Sequence, residues 1–506
     1  MNSDSYDVLI VGAGVAGCAL AHALSTITSP SHSKPIRIAL LERSLAEPDR
    51  IVGELLQPGG VLALRKLGME ECLDGIGAVP VKGYCVVHDG KQVHIPYPGG
   101  QEGRSFHHGR FIMALREKAK KAENVDVIEA AVNNLVSDES SGRIIGVKAT
   151  RKGGDSKETL LAKLVIISDG CFSNFRSEVL GEAAQKPSIK GYFVGAILKD
   201  ANLPIDKHGT VCLVKGSGPV LLYQIEEHDT RILIDVKDPL PSDLKVCIRL
   251  NNLKGHILDD IVPGLPPSLQ APTRAALEAD RLKRMPNSVL PPVEQGGEQS
   301  KEGVILVGDS WNMRHPLTGG GMTVALNDVV ILTDLLRSVR HLEDWEEVSQ
   351  ILHSWHWSRK PLGSTINILS IALYDLFGAE DSNLDVLRTG CFKYFERGGR
   401  CIEDPVSLLS GLAPSRLMLF LHFFAVAFYA IWVMFTHPRL VSHSTSRQSS
   451  PSISAADSDS DDGYLLEKPV YSRPGLGEYP WLLFKSFRVF WTACVVFGPP
   501  LWSELR

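Results

Sequence analysis

The stretch that most constrains this chain is Asp7-Val8-Leu9-Ile10-Val11-Gly12-Ala13-Gly14-Val15-Ala16-Gly17. Val8 to Val11 is an apolar run of strand length that enters Gly-x-Gly-x-x-Gly directly, and Cys18 to Leu24 carries good helix formers. Strand, tight turn and helix in that order make a dinucleotide-binding unit, with a pyrophosphate lying on the free N–H groups of the helix N-terminus. Gly12 makes the turn, Gly14 lets the pyrophosphate approach the backbone, and Gly17 lets the helix sit close to the strand; Ala13, Val15 and Ala16 belong to the same expected site. A second strand, Ile36 to Leu41, ends at Glu42, where an acid holds ribose hydroxyls. Its distance from the glycines exceeds the usual spacing of about 20 residues. The loop Ser29 to Pro35 accounts for the excess.

Two more strand ends of this kind follow. Leu164 to Ile167 runs into Ser168-Asp169-Gly170, with Arg176 at a following helical position. Gly303 to Val307 runs into Gly308-Asp309-Ser310; His315-Pro316-Leu317-Thr318-Gly319-Gly320-Gly321-Met322 then opens a helix expected from Thr323 to Leu336. An Asp at the carboxyl end of a parallel strand faces a ligand crevice, and a Gly-rich loop before a helix makes an anion site. Between these lie pieces of a different kind. Gly83 to Tyr97 alternates around Asp89-Gly90, a type I′ hairpin signal, and Val220 to Ile225 pairs with Arg231 to Val236. Val125 to Ile128 and Ala131 to Val136 read as two strands, with hairpin turns near Ser140 to Gly142 and Gly153 to Asp155. His107-His108 suggests a metal, but no third ligand has suitable spacing, so hydrogen bonding or packing is expected and no metal.

The 506 residues leave room for two to three domains. A net charge of −5 speaks against a nucleic-acid partner, and nine scattered cysteines without a Cys-x-x-Cys pair point to reduced thiols. The polar start Met1 to Tyr6 leads to the expectation of no signal peptide, so membrane contact must come from elsewhere. Leu417 to Phe435 has no Asp, Glu, Lys or Arg and approaches the ~20 residues of a spanning helix. Ser442 to Gly463 is Ser/Asp-rich and expected to be disordered. Trp481 to Trp502 is apolar but interrupted by Lys485 and Arg488, which suits an interfacial or snorkelling helix better than a clean span.

The three strand-end motifs together resemble the flavoprotein monooxygenases with a glutathione-reductase-type FAD fold. Within that class, Asp49 to Gly60, Phe106 to Leu115, Asn312 to Val324 and His422 to Ala427 resemble the squalene epoxidases, a likeness running from about Tyr6 to Phe435 and resuming in the last helix. The resemblance implies an α/β fold: a Rossmann-like FAD-binding domain, an inserted antiparallel-sheet substrate domain and C-terminal membrane-associated helices. The expected division is FAD-binding parts at 1–82, 111–185 and 296–340, substrate-domain parts at 83–110 and 186–295, a helical region at 341–416 and membrane-associated helices at 417–506 with the disordered insert at 442–463.

The resemblance also implies FAD, O2 and NADPH-derived electrons delivered by NADPH-cytochrome P450 reductase. The reaction it implies is insertion of one oxygen atom into the terminal double bond of squalene, giving (S)-2,3-oxidosqualene, at the cytosolic face of the endoplasmic reticulum membrane and in contact with its lipid. By carry-over, Glu42, Arg43, Arg50, Leu55, Arg116, Val132, Asp169, Asp309, Gly320, Gly321 and Met322 join the glycines as FAD contacts, and Tyr84 and Gln57 form a hydrogen-bonded pair on the substrate side of the flavin. The alkene is the nucleophile in such a reaction, so no strong base is required, and the sequence offers no triad or carboxylate dyad. Two other readings stay open at this stage: a related flavin monooxygenase acting on another apolar or aromatic substrate, and a non-catalytic carrier on the same fold.

Overall fold

The computed structural model describes residues 5–27, 34–237, 253–279, 282–379, 381–444 and 468–505. Its centre is a six-stranded sheet in which Val125–Ser137, Ile38–Glu42, Ser5–Val11, Lys157–Ile167 and Val304–Leu306 lie side by side in parallel. Strands covered on both faces become continuous apolar runs, and Leu9, Ile10, Leu40, Ile166 and Ile305 are fully buried. Register aligns the strand ends. Val11 lies opposite both Leu41 and Ile167, and Ile167 lies opposite Leu306. Four separate stretches of sequence therefore leave the sheet at one level.

Val125–Ser137 corrects the expectation of two strands. It is one strand with two partners: residues 125–129 pair with Ile38–Glu42, and residues 130–137 turn antiparallel onto Ile144–Arg151, with register shifts after Val132 and Val136. The irregularities allow the chain to change neighbours without a break.

The second sheet has seven strands in the order Lys283–Val289, Ser188–Lys199, Asp229–Lys237, Val220–Gln224, Gly209–Leu213, Gly83–His88, Lys91–Pro96. Asp89 (φ 47°) and Gly90 (φ 71°) both sit in the left-handed region, as a type I′ hairpin requires. The sheet is antiparallel except where Gly83–His88 runs parallel to Gly209–Leu213, with Tyr84 opposite Gly209. A parallel pair needs a long crossover; here the hairpin arrives from a remote part of the chain. One face of this sheet packs on Ile257, Ile261 and Leu269, and the other covers Leu55, Leu317, Tyr374 and Phe377.

The helix after the Gly-rich loop spans Gly321–Leu336, starting two residues before the expected Thr323. Trp345–Gly378 packs along it. The tail forms two helices, Arg416–Thr436 and Tyr479–Leu505, each long and apolar enough to cross a membrane. They run antiparallel, with Phe423 stacked on Phe497 at 4.3 Å and Phe428 on Phe490 at 5.4 Å. Only 28% and 22% of their apolar windows are buried in the protein, so Phe428, Trp432, Phe487 and Trp491 point outward. Of the expected disordered insert, residues 445–463 lie outside the described residues. Ser442–Ser444 correct its start, because they pair antiparallel with Lys468–Val470.

Candidate active site

The aligned strand ends open into a cleft of about 1060 Å³. Gly12, Gly14, Glu42, Arg43, Arg50, Arg116, Val132 and Asp169 all line it. The three glycines of the first motif differ in what surrounds them. Gly12 has φ +103°, and a Cβ there falls 2.5 Å from the Ser168 carbonyl oxygen; a Cβ on Gly17 falls 1.9 Å from the Gly12 carbonyl oxygen. Around Gly14 nothing stands within 4 Å of that position, and the same holds at Gly170 and Gly321. Gly12 and Gly17 are needed for packing, whereas the missing side chain of Gly14 leaves room in the cleft.

The turn is held from both sides. The Ala13 N–H donates to Glu42 Oε2 at 2.9 Å, and Arg116 Nε donates to the Ala13 carbonyl at 3.0 Å. Arg116 Nη2 lies 3.6 Å from Glu42, so one buried cation orients both the turn and the acid. Asp169 receives the Asn174 N–H at 3.2 Å, while its Oδ1 is buried without a partner; burial pushes its carboxyl above the usual range. The Arg50 guanidinium meets Cys171 Sγ at 3.9 Å and Met285 Sδ at 3.8 Å, and among the described residues no carboxylate pairs with it. His108 sits beneath it, bonded to the Gly53 carbonyl at 2.9 Å; burial, then the Arg50 charge, push its pKa down to about 4.

The remaining expected residues stand apart from this cleft. Val15, Ala16 and Gly17 lie on the helix behind the turn. Asp309 is on a single turn, Gly308–Ser310, whose carbonyls are held by Arg176 (Asp309 O 3.2 Å, Ser310 O 2.6 Å). Gly320 backs onto Ile366, and Met322 packs in the core. Leu55, Gln57 and Tyr84 gather at the far end, around the Gly319 turn. Gln57 is fully buried; its Nε2 donates to Tyr84 and to the Thr318 carbonyl (2.8 Å), and its Oε1 accepts from Tyr97 at 2.6 Å. Tyr84 and Tyr97 meet edge to face at 5.6 Å. A small pocket of about 50 Å³ lies beside them, walled by Leu55, Val211, Leu221, Leu233 and Leu317.

Sequence reasoning missed several residues here. Lys283 and Met285 line the cleft because Lys283–Val289, the edge strand of the second sheet, runs along it, and Cys171 lines it from the loop after Asp169-Gly170. Glu54 is 1% exposed and receives two bonds from Arg231, both at 2.8 Å, and one from Tyr223 at 3.2 Å. His107 Nε2 lies 3.3 Å from both Glu226 and Asp229. Glu226 also pairs with Arg110 of the helix His108–Lys120, and Asp229 with Lys199 opposite it in the second sheet. The three side chains that converge, His107, Glu226 and Asp229, have atoms within 4.8 Å of one another although far apart in sequence.

A family model described as squalene epoxidase matches residues 161–446. A squalene epoxidase of Aspergillus fumigatus is 42% identical over 98% of this chain and 93% of its own. The squalene monooxygenase of Mus musculus is 42% identical over 99% of this chain and 78% of its own. Among solved structures, a probable FAD-dependent monooxygenase from Pseudomonas aeruginosa covers 74% of this chain and 97% of its own (TM-score 0.58, 20% identity). A Klebsiella pneumoniae protein complexed with FAD and uric acid covers 81% and 97% (TM-score 0.59, 18% identity). These two likenesses concern the fold. Sequence identity along nearly the whole length, through both tail helices, settles the rest: the chain belongs to the squalene epoxidase family.

Proposed function

We propose that this protein is a squalene monooxygenase, an FAD-dependent enzyme that converts squalene to 2,3-oxidosqualene with O2. The observation that carries this reading is family membership over 98% of the chain, tail helices included. The residues present fit the cofactor. A pyrophosphate belongs at Gly14, where open space meets the N-terminus of the helix Val15–Ser25. Glu42 is oriented for ribose hydroxyls, and Arg50 supplies a cation not committed to a carboxylate among the described residues. Asp169, with one buried oxygen unpartnered, has an acceptor to spare. Arg43, Arg116 and Val132 complete that wall, and Asp309, Gly320, Gly321 and Met322 belong to the end that holds the flavin ring.

When bound and reduced, FAD supplies with O2 an electrophilic oxygen atom that the alkene attacks. The chain's own part is orientation, charge stabilisation and exclusion of water. The N-terminus of Gly321–Leu336 presents N–H groups and the positive end of a helix dipole to negative charge. Tyr84, Gln57 and Tyr97 form one bonded chain that fixes the Tyr84 hydroxyl at the edge of the apolar pocket. That pocket is about 50 Å³, against the roughly 300–1,000 Å³ of ordinary ligand sites.

Electrons come from NADPH through cytochrome P450 reductase, and the tail helices seat the enzyme on the cytosolic face of the endoplasmic reticulum. The outward aromatic face of those helices supports lipid contact. Incubating the full chain with squalene, FAD, NADPH and reductase is expected to give a product one oxygen heavier than squalene. A flavin-loaded protein that leaves squalene untouched favours a different apolar or aromatic substrate, and a purified protein with no flavin absorbance favours a carrier.

A further inference from the structure

The last turn of the chain holds a buried carboxylate. Glu504 is the only acid in the helix Tyr479–Leu505, and it is 4% exposed. Its Oε1 accepts from Asn367 Nδ2 at 2.7 Å and its Oε2 from Ser364 Oγ at 2.8 Å, while its backbone carbonyl accepts from Lys360 Nζ at 2.8 Å. Residues 360, 364 and 367 share one face of Trp345–Gly378.

The chain of bonds continues inward. Asn367 Oδ1 accepts from Arg314 Nε at 2.8 Å, and Arg314 Nη1 donates to the Gly321 carbonyl at 3.1 Å. Arg314 also donates to Asn312, which accepts from Arg359 at 3.0 Å. Arg359 already has its own acid, bonding both oxygens of Asp328 at 2.9 and 2.8 Å. Arg314, 8% exposed, makes no ion pair of its own among the described residues; the acids whose charge reaches it are Asp309, Asp328 and Glu504. Glu504 thus answers a buried cation through one intervening amide.

Adhesion alone does not call for this arrangement. Stacked rings already join the tail helices to each other, and Ile368, Leu408, Leu419 and Phe497 form an apolar cluster against the body. Replacing a buried ionic group by apolar side chains of similar volume is often neutral or stabilising. What a charged, bonded chain adds is direction: it fixes the position of each group along it. Here it ends on Gly321, the first residue of the helix whose N-terminus faces the flavin ring in the function proposed above.

We propose that Glu504 is a positioning residue: through Asn367 and Arg314 it sets the Gly321 carbonyl, and so makes the end of the membrane-associated tail part of the flavin-side loop. The inference rests on the FAD reading of the site. The test uses the full-length, FAD-loaded enzyme in phosphatidylcholine vesicles, comparing wild type with Glu504→Gln and Asn367→Ala. Both variants are expected to stay vesicle-bound and keep FAD. Both should shift the flavin visible band and midpoint potential, and lower kcat about tenfold with KM for squalene little changed. If Glu504→Gln does not accumulate in folded form, Asn367→Ala cuts the same chain from within the body and is read in its place. A flavin-loaded wild type whose variants match it in spectrum, potential and kcat overturns the proposal while leaving the FAD reading intact. A wild type that binds no FAD overturns the FAD reading, and this inference with it.

Discussion

The cleft around Gly14 and the pocket beside Tyr84, the two ends of the site in the function proposed above, are built in opposite ways. The cleft is about 1060 Å³ and lined by Glu42, Arg43, Arg50, Arg116 and Asp169, whose side chains fix a turn or present charge to open space. The pocket is about 50 Å³ and walled mainly by Leu and Val; Tyr84, Gln57 and Tyr97 beside it are bonded to one another, while the Thr210 and Thr318 hydroxyls on its wall are buried with no hydrogen-bond partner among the described residues. The first arrangement suits a charged nucleotide that brings its own polar groups. The second, with its mainly aliphatic walls, suits a hydrocarbon that offers no hydrogen bond of its own. Function at the first end therefore tolerates solvent, whereas the second end depends on closure.

Mutations at the two ends should separate these principles. Gly17→Val is expected to have the largest effect, because its Cβ position lies 1.9 Å from the Gly12 carbonyl; the variant should yield no folded protein by thermal melting. Gly14→Val, three residues away, should melt as wild type does when FAD is absent, because nothing stands near its Cβ, and should bind FAD poorly. Equal loss of fold in both variants would erase the distinction drawn within the motif.

On the substrate side, Glu54→Ala leaves Arg231 buried without its acid. Breaking a buried pair in this way costs about 3–5 kcal/mol, readable as a lower urea midpoint. Tyr84→Phe is milder: one bond from Gln57 is lost, worth about 1 kcal/mol. Turnover should fall while FAD remains bound, and loss of FAD instead would place Tyr84 at the wrong end of the site.

The smallest expected effect is on pH dependence. The pKa of His108 falls from 6.5 to about 4 and that of His315 from 6.5 to about 3, both chiefly through burial. Each is neutral when folded and takes up a proton on unfolding below pH 6.5, so stability is full above 6.5 and falls as pH drops toward 4. Asp235 opposes this. Its carboxyl, raised from 3.8 to about 6 mainly by burial, gives stability that is lost as pH rises from 3.8 to 6. Two histidines outweigh one carboxyl, so urea stability should decline between pH 6.5 and 4. His108→Asn should flatten that decline, and an unchanged slope would mean His108 is not buried as described.

Much of the cleft was legible because each of its parts is local. Gly12 and Ser168-Asp169 each follow an apolar strand within a few residues, and parallel pairing then aligns them; Gly308-Asp309 was equally legible as a strand end but stands apart from the cleft. Asp89-Gly90 was equally local, since a hairpin turn is written in two residues. The pocket end was not. Gln57 and Tyr84 were known as a pair through resemblance alone, and their further partner Tyr97, together with the Glu54–Arg231 pair 177 residues apart, has no periodicity to announce it. The parallel docking of Gly83–His88 on Gly209–Leu213 was hidden for the same reason. The sequence also gave no hint that Glu504, in an apolar tail, reaches Asn367 in the body.

The most direct test of the central claim is isotopic. Full-length enzyme is supplied with squalene, FAD, NADPH and reductase under 18O2 in unlabelled water, and the product is examined by mass spectrometry. The account predicts a single 18O atom in the product, located at the terminal double bond. An oxygen drawn from water, or labelled oxygen consumed without any oxidised squalene, would contradict it.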